Sequence, residues 1–317
     1  MRTMGRTIKK AAAVFLAVCC MFTTILTSGI VRAENTASAS PGSSDLAAGA
    51  PLPSMALEEF PIIDGSLANV PMIEELMMRI TGCNEMEADE RVNAYFSNTN
   101  PCYVNLAEGA RDLCIAYEPA QDTVKKLQEY EPLDMTPIGK DALVFIVNEN
   151  NPVDELTSEQ LVDIYTGKIR NWKEVGGDDI PIEAFTRPET SGSQTLMRSL
   201  LVGDAEMTDE TYYHRVQSME GMVDAIKSDY DNTKMAIGYS VYYYVDAMMG
   251  TSGLKFLKVD GVEPSNETIA SGEYPLVNDF YVVTRKDSPE SAVQIRDWLV
   301  SEAGQEFVRE CGYVPAQ

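Results

Sequence analysis

The stretch that decides the fold runs from residue 142 to residue 167 and reads ALVFIVNENNPVDELTSEQLVDIYTG. It opens with a short apolar run, residues 142–147, of the kind that buried parallel strands show. Residues 157–160 then have the spacing of a capping box, and the apolar residues after them fall on one helical face before Gly167, a typical helix stop. A buried strand is therefore followed by an amphipathic helix.

The same alternation continues on both sides of this stretch. Short apolar runs that we interpret as strands lie at residues 61–63, 112–117, 182–186, the start of 235–245, and 281–284. Helical patterns lie at residues 70–80, with Pro71 in the first turn, 193–201, 289–300, with Ser288 as the cap, and 302–311. Strands that alternate with helices predict an α/β fold with parallel sheets.

Composition and charge exclude several classes of function. The chain has 317 residues, of which 44% are hydrophobic, enough for one large or two modest domains. Its 49 acidic residues outnumber 25 basic ones, for a net charge of −24. Such a surface repels phosphate backbones and anionic lipid, which argues against nucleic-acid binding and membrane docking. The single histidine, His214, argues against a histidine-rich metal site or a Ser-His triad.

The first 33 residues form a targeting segment. Basic residues up to Lys10 precede a charge-free run at residues 11–31, and small or short residues before Ala33 predict signal-peptide cleavage after that position. The run is also long enough for an uncleaved anchor, and residues 16–19 weakly resemble a lipoprotein box. All three alternatives place the folded part outside the cytoplasm. Residues 34–56, rich in Ala, Ser, Pro and Gly, are predicted to be a flexible linker.

The cysteines of the compact region, which we expect to start near Leu57, show no CxxC spacing. This argues against a zinc site and against thioredoxin-like chemistry. Outside the cytoplasm disulfides are allowed, and the sequence leaves three pairings and free thiols equally open. The four residues are Cys83, Cys102, Cys114 and Cys311.

Several segments could hold an anion without a cluster of lysines. A helix N-terminus presents unpaired backbone N–H groups and a partial positive charge, and helices are expected to begin after Ser66, at residues 99–101 and at residues 191–193. Serine and threonine hydroxyls in these turns would add donors. Arg187 can offer a bidentate fork to a tetrahedral oxyanion, and its alternative partner is Glu189 in a surface ion pair.

An ordered set of motifs over residues 57–317 resembles the bacterial phosphate-binding solute receptors of ABC importers. The motifs are DGS at 64–66 followed by Pro71, ALVFIVN at 142–148 with NPV at 151–153, IYTGKI at 164–169 with Asn171 and Trp172, TRPE at 186–189 leading to SGSQ at 191–194, IGYS at 237–240, and GQ at 304–305 with GYVP at 312–315.

The resemblance implies a two-lobed type II periplasmic-binding-protein fold with two hinge strands and the ligand in the cleft between the lobes. One lobe would combine residues 57–140 with 275–317, and the other would be residues 141–274. The resemblance further implies capture of inorganic phosphate and its delivery to ABC permease subunits, with no catalysis, metal or cofactor, by a monomer. Two alternatives stay open: a binder of another tetrahedral oxyanion, and a surface sensor or adhesion module that kept the fold.

The resemblance also carries the candidate ligand-binding residues, which are Ser66, Leu67, Thr99, Asn100, Glu118, Arg187, Ser191, Gly192 and Ser193. Hydrogen phosphate keeps a proton at neutral pH and sulfate does not, so a carboxylate that accepts this proton would reject sulfate. Glu118, one position away from where relatives place an aspartate, is the first candidate for that role and Asp64 is the second. Leu67 stands where relatives often carry threonine, and it removes one hydroxyl donor.

Overall fold

A computed structural model describes residues 51–208, 215–227 and 235–317. The predicted targeting segment, most of the predicted linker and His214 lie outside these residues. The last linker residues are described, and Leu52 and Met55 pack against the hydrophobic core. Within the described ranges, no helix combines the length and the apolar character needed to cross a membrane.

Strands and helices alternate along most of the described chain. The strands are β1 (Ile63–Gly65), β2 (Leu113–Tyr117), β3 (Asp134–Asn148), β4 (Glu155–Leu156), β5 (Glu183–Ala184), β6 (Ala236–Val241), β7 (Leu254–Phe256), β8 (Lys258–Val259), β9 (Val277–Thr284) and β10 (Val314–Pro315). The helices are α1 (Val70–Thr81), α2 (Glu85–Tyr95), α3 (Thr99–Ala107), α4 (Gln121–Leu127), α5 (Ser158–Tyr165), α6 (Gly192–Met197), α7 (Met219–Lys227), α8 (Asn266–Ser271), α9 (Glu290–Leu299) and α10 (Glu302–Glu310). Single 3-10 turns at Leu57–Glu59, Leu67–Asn69 and Trp172–Val175 and π-helical turns at Arg198–Val202 and Tyr244–Met249 complete the list.

The main sheet is mixed, so the expectation of parallel sheets is wrong for its centre. Its order is β1-β2-β9-β3-β6-β5, with β7 and β10 also paired to β3. The pairs β1 with β2 and β5 with β6 are parallel, whereas β3 is antiparallel to β6, β7, β9 and β10. A continuous apolar run reports that both faces of a strand are covered, but it does not encode the direction of the neighbouring strands.

Strand β3 runs through two halves of the molecule. Its residues 134–142 pair with β9, whereas residues 143–148 pair with β6 and β7. The sheet therefore has two parts that share β3, and β9 returns the chain from the second part to the first. This gives two α/β lobes joined by two crossing strands. The predicted lobe boundaries, 57–140 with 275–317 and 141–274, stay a prediction.

Most of the local signals in the sequence are confirmed. Thr157 and Gln160 form the predicted capping box, with the Thr157 side chain accepting from the Gln160 amide at 3.1 Å. Gly167 has a φ of +75° just after α5 ends. The predicted cap Ser288 is wrong, because Pro289 is the N-cap residue of α9. The Ser288 hydroxyl instead bonds the backbone of two neighbouring segments.

The four cysteines of the compact region are all free thiols. Cys102 and Cys114 are fully buried beside each other, and the Cys114 thiol donates to the Cys102 carbonyl oxygen at 3.2 Å. Burial raises the pKa of the Cys102 thiol well above its usual value. The Cys102 side chain is therefore an uncharged member of the packing between α3 and β2.

Candidate functional site

Two hydroxyl groups from distant segments meet at the end of β1. Ser66 Oγ lies 2.8 Å from Thr99 Oγ1 and accepts the Tyr117 amide at 3.1 Å, and both side chains are buried. Gly65 permits this approach because a Cβ there would lie only 2.1 Å from the Ile115 carbonyl oxygen. The tight pairing of β1 with β2 thus brings the Ser66 turn against the first turn of α3.

The Ser191 turn faces these hydroxyls from the other lobe. The Ser191 side chain caps α6 by accepting the Gln194 amide at 3.2 Å, and its Oγ lies 3.5 Å from Ser193 Oγ. At Gly192 a Cβ would lie 2.5 Å from Thr99 Oγ1, so the two segments touch through a glycine. The structure therefore brings the Ser66, Thr99 and Ser191 turns to one place.

Arg187 is buried in the loop that leads to this turn, with only 7% of its surface exposed. Its Nε and Nη1 atoms have no hydrogen-bond partner among the described residues, and its backbone amide donates to the Tyr239 hydroxyl at 2.9 Å. Burial lowers the pKa of the guanidinium to about 10, with the neighbouring Tyr239 and Tyr244 opposing this effect, so the group is charged at neutral pH. A buried unpaired cation is costly, and an anion would relieve that cost.

The ion pair considered between Arg187 and Glu189 is wrong. Glu189 Oε1 instead lies 2.8 Å from an amino group of Arg198 and accepts from the Gln194 side chain at 3.0 Å. Gln194 in turn accepts a hydrogen bond from the Tyr239 hydroxyl. Glu189 is thus held by α6 and by the turn that follows it. The Tyr239 hydroxyl positions the Arg187 backbone.

Of the two candidate proton acceptors, Asp64 is already saturated. Its buried carboxylate accepts from the amides of Gly65 and Ser97, both at 2.8 Å, from the Ser97 hydroxyl, and from Arg111 Nε at 3.1 Å. Four donors leave no lone pair for a ligand proton. Asp64 therefore organises the backbone around the Ser66 turn.

Glu118 directly follows Tyr117, whose amide binds Ser66. Its side chain is exposed, and Oε1 accepts a hydrogen bond from the Tyr281 hydroxyl at 3.1 Å. The structure thus brings its backbone next to the hydroxyl pair, while its carboxylate binds a residue of β9. Leu67 is partly buried and packs against the core, so this position contributes an apolar contact.

Two residues of the site have roles that the sequence did not predict. Tyr239 lies in the IGYS motif at residues 237–240, and its hydroxyl connects Arg187 to Gln194. Asn98, not Thr99, is the N-cap residue of α3, with a φ of +74° that is rare for an asparagine. No sequence signal predicts such a backbone conformation at a non-glycine residue.

A buried carboxylate lies where β3 passes between the lobes. Asp141 accepts from the Tyr117 hydroxyl at 2.6 Å, the Ala142 amide at 2.8 Å and the Tyr243 amide at 3.1 Å. Burial raises the pKa of Asp141 to about 6, although these hydrogen bonds oppose the effect. Asp141 therefore joins β2, β3 and the segment after β6. In the described part of the chain, no group of three or more His, Cys, Asp or Glu residues could hold a metal ion.

Comparisons with known proteins agree on one family. A family model described as a PBP superfamily domain matches residues 96–309. The phosphate-binding protein PstS of Borreliella burgdorferi is 29% identical over 272 residues, which cover 81% of this chain and 90% of that protein. PstS of Bacillus subtilis is 28% identical, over 80% of this chain and 79% of that protein.

Among solved structures, a phosphate ABC transporter substrate-binding protein of Clostridium perfringens with bound phosphate is 27% identical. It has a TM-score of 0.64, and the match covers 80% of this chain and 98% of that one. An ABC-type phosphate transport receptor of Vibrio cholerae, 24% identical with a TM-score of 0.59 and the same coverage, shares the fold. The chain therefore belongs to the PBP superfamily and has the two-lobed type II periplasmic-binding-protein fold.

Proposed function

We propose that this protein is an extracytoplasmic solute receptor that captures inorganic phosphate between its lobes and delivers it to an ABC importer. The observation that carries the proposal is the buried guanidinium of Arg187, which is charged and lacks partners for Nε and Nη1. The PstS relatives and the C. perfringens structure with bound phosphate support the choice of ligand.

The ligand would be held by groups from both lobes. Arg187 would donate a charge-assisted fork to two oxygens of the phosphate. The hydroxyls and backbone amides of the Ser66, Thr99 and Ser191 turns would bind the remaining oxygens, with Ser193 adding a donor from α6. Hydrogen bonds to a charged group contribute about 1.5 to 3 kcal/mol each, so four or five contribute about 6 to 15 kcal/mol, and the upper part of that range exceeds the roughly 8 kcal/mol of a micromolar complex even after binding costs.

Glu118 is the proposed acceptor of the phosphate proton. Asp64 has no free lone pair, and Glu118 is the other acidic residue beside the hydroxyl pair that the sequence favours. Its Oε1 accepts one hydrogen bond from Tyr281, which leaves acceptor capacity on the carboxylate. Repulsion between the Glu118 carboxylate and the oxyanion would then exclude sulfate, which has no proton to donate.

One feature favours a second candidate ligand. Leu67 offers no hydroxyl at a position where threonine is frequent among the proteins that this chain resembles. The loss of one donor would loosen the fit to phosphate and permit another tetrahedral oxyanion. We assign no covalent chemistry to the site, and we propose that residues 1–33 direct export or tether the protein to the outer face of the membrane.

Competition calorimetry tests this proposal. The chain is titrated with phosphate alone and then in the presence of sulfate or molybdate. We expect phosphate to bind at micromolar affinity or tighter and a tenfold excess of sulfate to leave that affinity unchanged. Stronger binding of molybdate or sulfate would assign the site to another oxyanion, and absence of heat and of thermal stabilisation with all three anions would contradict an oxyanion receptor.

A further inference from the structure

Asn100, the second residue of α3, makes hydrogen bonds to both sides of the cleft. The residue is buried, with 7% of its surface exposed. Oδ1 accepts from the Ala120 amide at 2.7 Å and from Thr123 Oγ1 at 3.0 Å. Nδ2 donates to the Thr190 carbonyl oxygen at 3.1 Å and to Thr195 Oγ1 at 3.3 Å. One carboxamide therefore connects the loop and helix after β2 to the turn and helix after β5.

The partners fix the orientation of this amide. The Ala120 backbone can only donate and the Thr190 carbonyl can only accept, so the oxygen of Asn100 must face the first and the nitrogen the second. Rotating the amide by half a turn would oppose donor to donor and acceptor to acceptor. A carboxylate in its place could bind Ala120 but would repel Thr190. The site is thus built for an asparagine.

The four partners also leave the Asn100 side chain no donor or acceptor to offer a ligand. A carboxamide has two N–H donors and two acceptor lone pairs, and all four are used here. The sequence placed Asn100 among residues that bind the ligand directly. The geometry points to a different task for the side chain.

The two sides that Asn100 joins belong to different lobes. Helix α3 packs on β2 and helix α4 packs on α3, whereas α6 packs on β3 and β6. The close approach of Gly192 to Thr99, where a Cβ would lie 2.5 Å from Oγ1, occurs beside the Asn100 contacts. These contacts require the lobes to be together, because their partners would separate if the cleft opened.

We propose that Asn100 is an interlobe clasp: a positioning residue that holds the cleft closed over its occupant without touching it. The clasp rests on the proposed function only in taking phosphate as that occupant. Because its bonds across the cleft exist only while the lobes are together, they should slow release of the ligand, which leaves through the open state, and have little influence on its entry.

Two threonine variants isolate this role. Thr195→Val removes a hydroxyl that bonds Asn100 from across the cleft, and Thr123→Val removes one that bonds it within its own lobe. Both threonines are buried, and the change of hydroxyl to methyl is the same. The Ser191 carbonyl, which also accepts from the Thr195 hydroxyl, keeps its bond from the Thr195 amide at 3.0 Å.

The rate of phosphate release is measured by stopped flow in the full chain. We expect Thr195→Val to raise the dissociation rate about three- to tenfold, the value of one neutral hydrogen bond, with the association rate within twofold of the original. Thr123→Val should leave both rates within about twofold, and Thr195→Ser should restore slow release. Equal dissociation rates for the two valine variants, or an effect confined to association, would overturn the clasp.

A ligand-free measurement separates this inference from the proposed function. If the original chain binds no phosphate, the proposed function fails, and the clasp is tested by small-angle X-ray scattering of the ligand-free variants. Thr195→Val should then have a larger radius of gyration than Thr123→Val, because more of its molecules are open. Superimposable scattering curves would overturn the clasp on their own.

Discussion

Arg187→Met should have opposite effects on stability and on phosphate binding. In the structure the guanidinium is buried, charged and unpaired at Nε and Nη1. A pKa lowered to about 10 corresponds to roughly 3 kcal/mol of cost for holding the charge in the folded state at neutral pH, at about 1.36 kcal/mol per pH unit. Methionine keeps an apolar stem without the charge, so the ligand-free variant should be more stable by up to about that amount.

Binding should change in the other direction. The two unpartnered donors are those that can reach an oxyanion, and each charge-assisted hydrogen bond is worth about 1.5 to 3 kcal/mol. Losing both removes about 3 to 6 kcal/mol, which weakens phosphate binding by about a hundredfold or more. The unpaired guanidinium would thus lower the stability of the protein without phosphate and raise its affinity for phosphate.

Urea unfolding with and without phosphate, combined with calorimetry, measures both effects. The matched control is Arg198→Met, which removes an arginine whose guanidinium is paired with Glu189 at 2.8 Å. The control should lower stability slightly and leave phosphate affinity within about threefold, since exposed ion pairs contribute about 1 kcal/mol or less. An Arg187→Met variant that is less stable than the original chain and binds phosphate within threefold of it would refute the reasoning.

Three further changes test other parts of the site. Tyr239→Phe should cost about 1 to 3 kcal/mol in urea unfolding, because the buried Arg187 amide loses its acceptor; an unchanged midpoint would contradict this. Folded Asp141 binds its proton more tightly than unfolded Asp141, with a pKa of about 6 against 3.8, so its contribution to stability should fall by about 3 kcal/mol as pH rises from about 4 to 6. Asp141→Asn should lack this slope in unfolding curves across that window, and a variant with the original slope would show that other groups cause it. Glu118→Gln should raise the affinity for sulfate relative to phosphate at least tenfold in competition calorimetry, and an unchanged ratio would remove Glu118 from the site.

Signals confined to neighbouring residues predicted the local structure well. The capping box of α5 works as its spacing indicates, because the groups that satisfy one another lie three residues apart. The apolar runs at residues 112–117 and 142–147 are buried strands, since continuous hydrophobicity reports burial. The order of motifs along the chain was sufficient to identify the family and the two-lobed fold.

Features that depend on distant partners could not be predicted. Nothing near β3 indicates that its neighbours run antiparallel. Nothing near Glu189 indicates that it forms an ion pair with Arg198 and not with Arg187. Asn100 looked like a ligand donor because it lies in a helix first turn, yet its four partners come from segments up to 95 residues away. The segments that the structure brings together could therefore be predicted, whereas the hydrogen-bond partners of each side chain depend on tertiary contacts.

A crystal structure of the chain grown with phosphate tests the central claim most directly. We predict one phosphate between the lobes, with Nε and Nη1 of Arg187 within hydrogen-bond distance of its oxygens and the Ser66 and Ser191 turns on its other sides. A phosphate bound elsewhere, or an Arg187 side chain paired with a carboxylate while the cleft holds the anion, would contradict the claim.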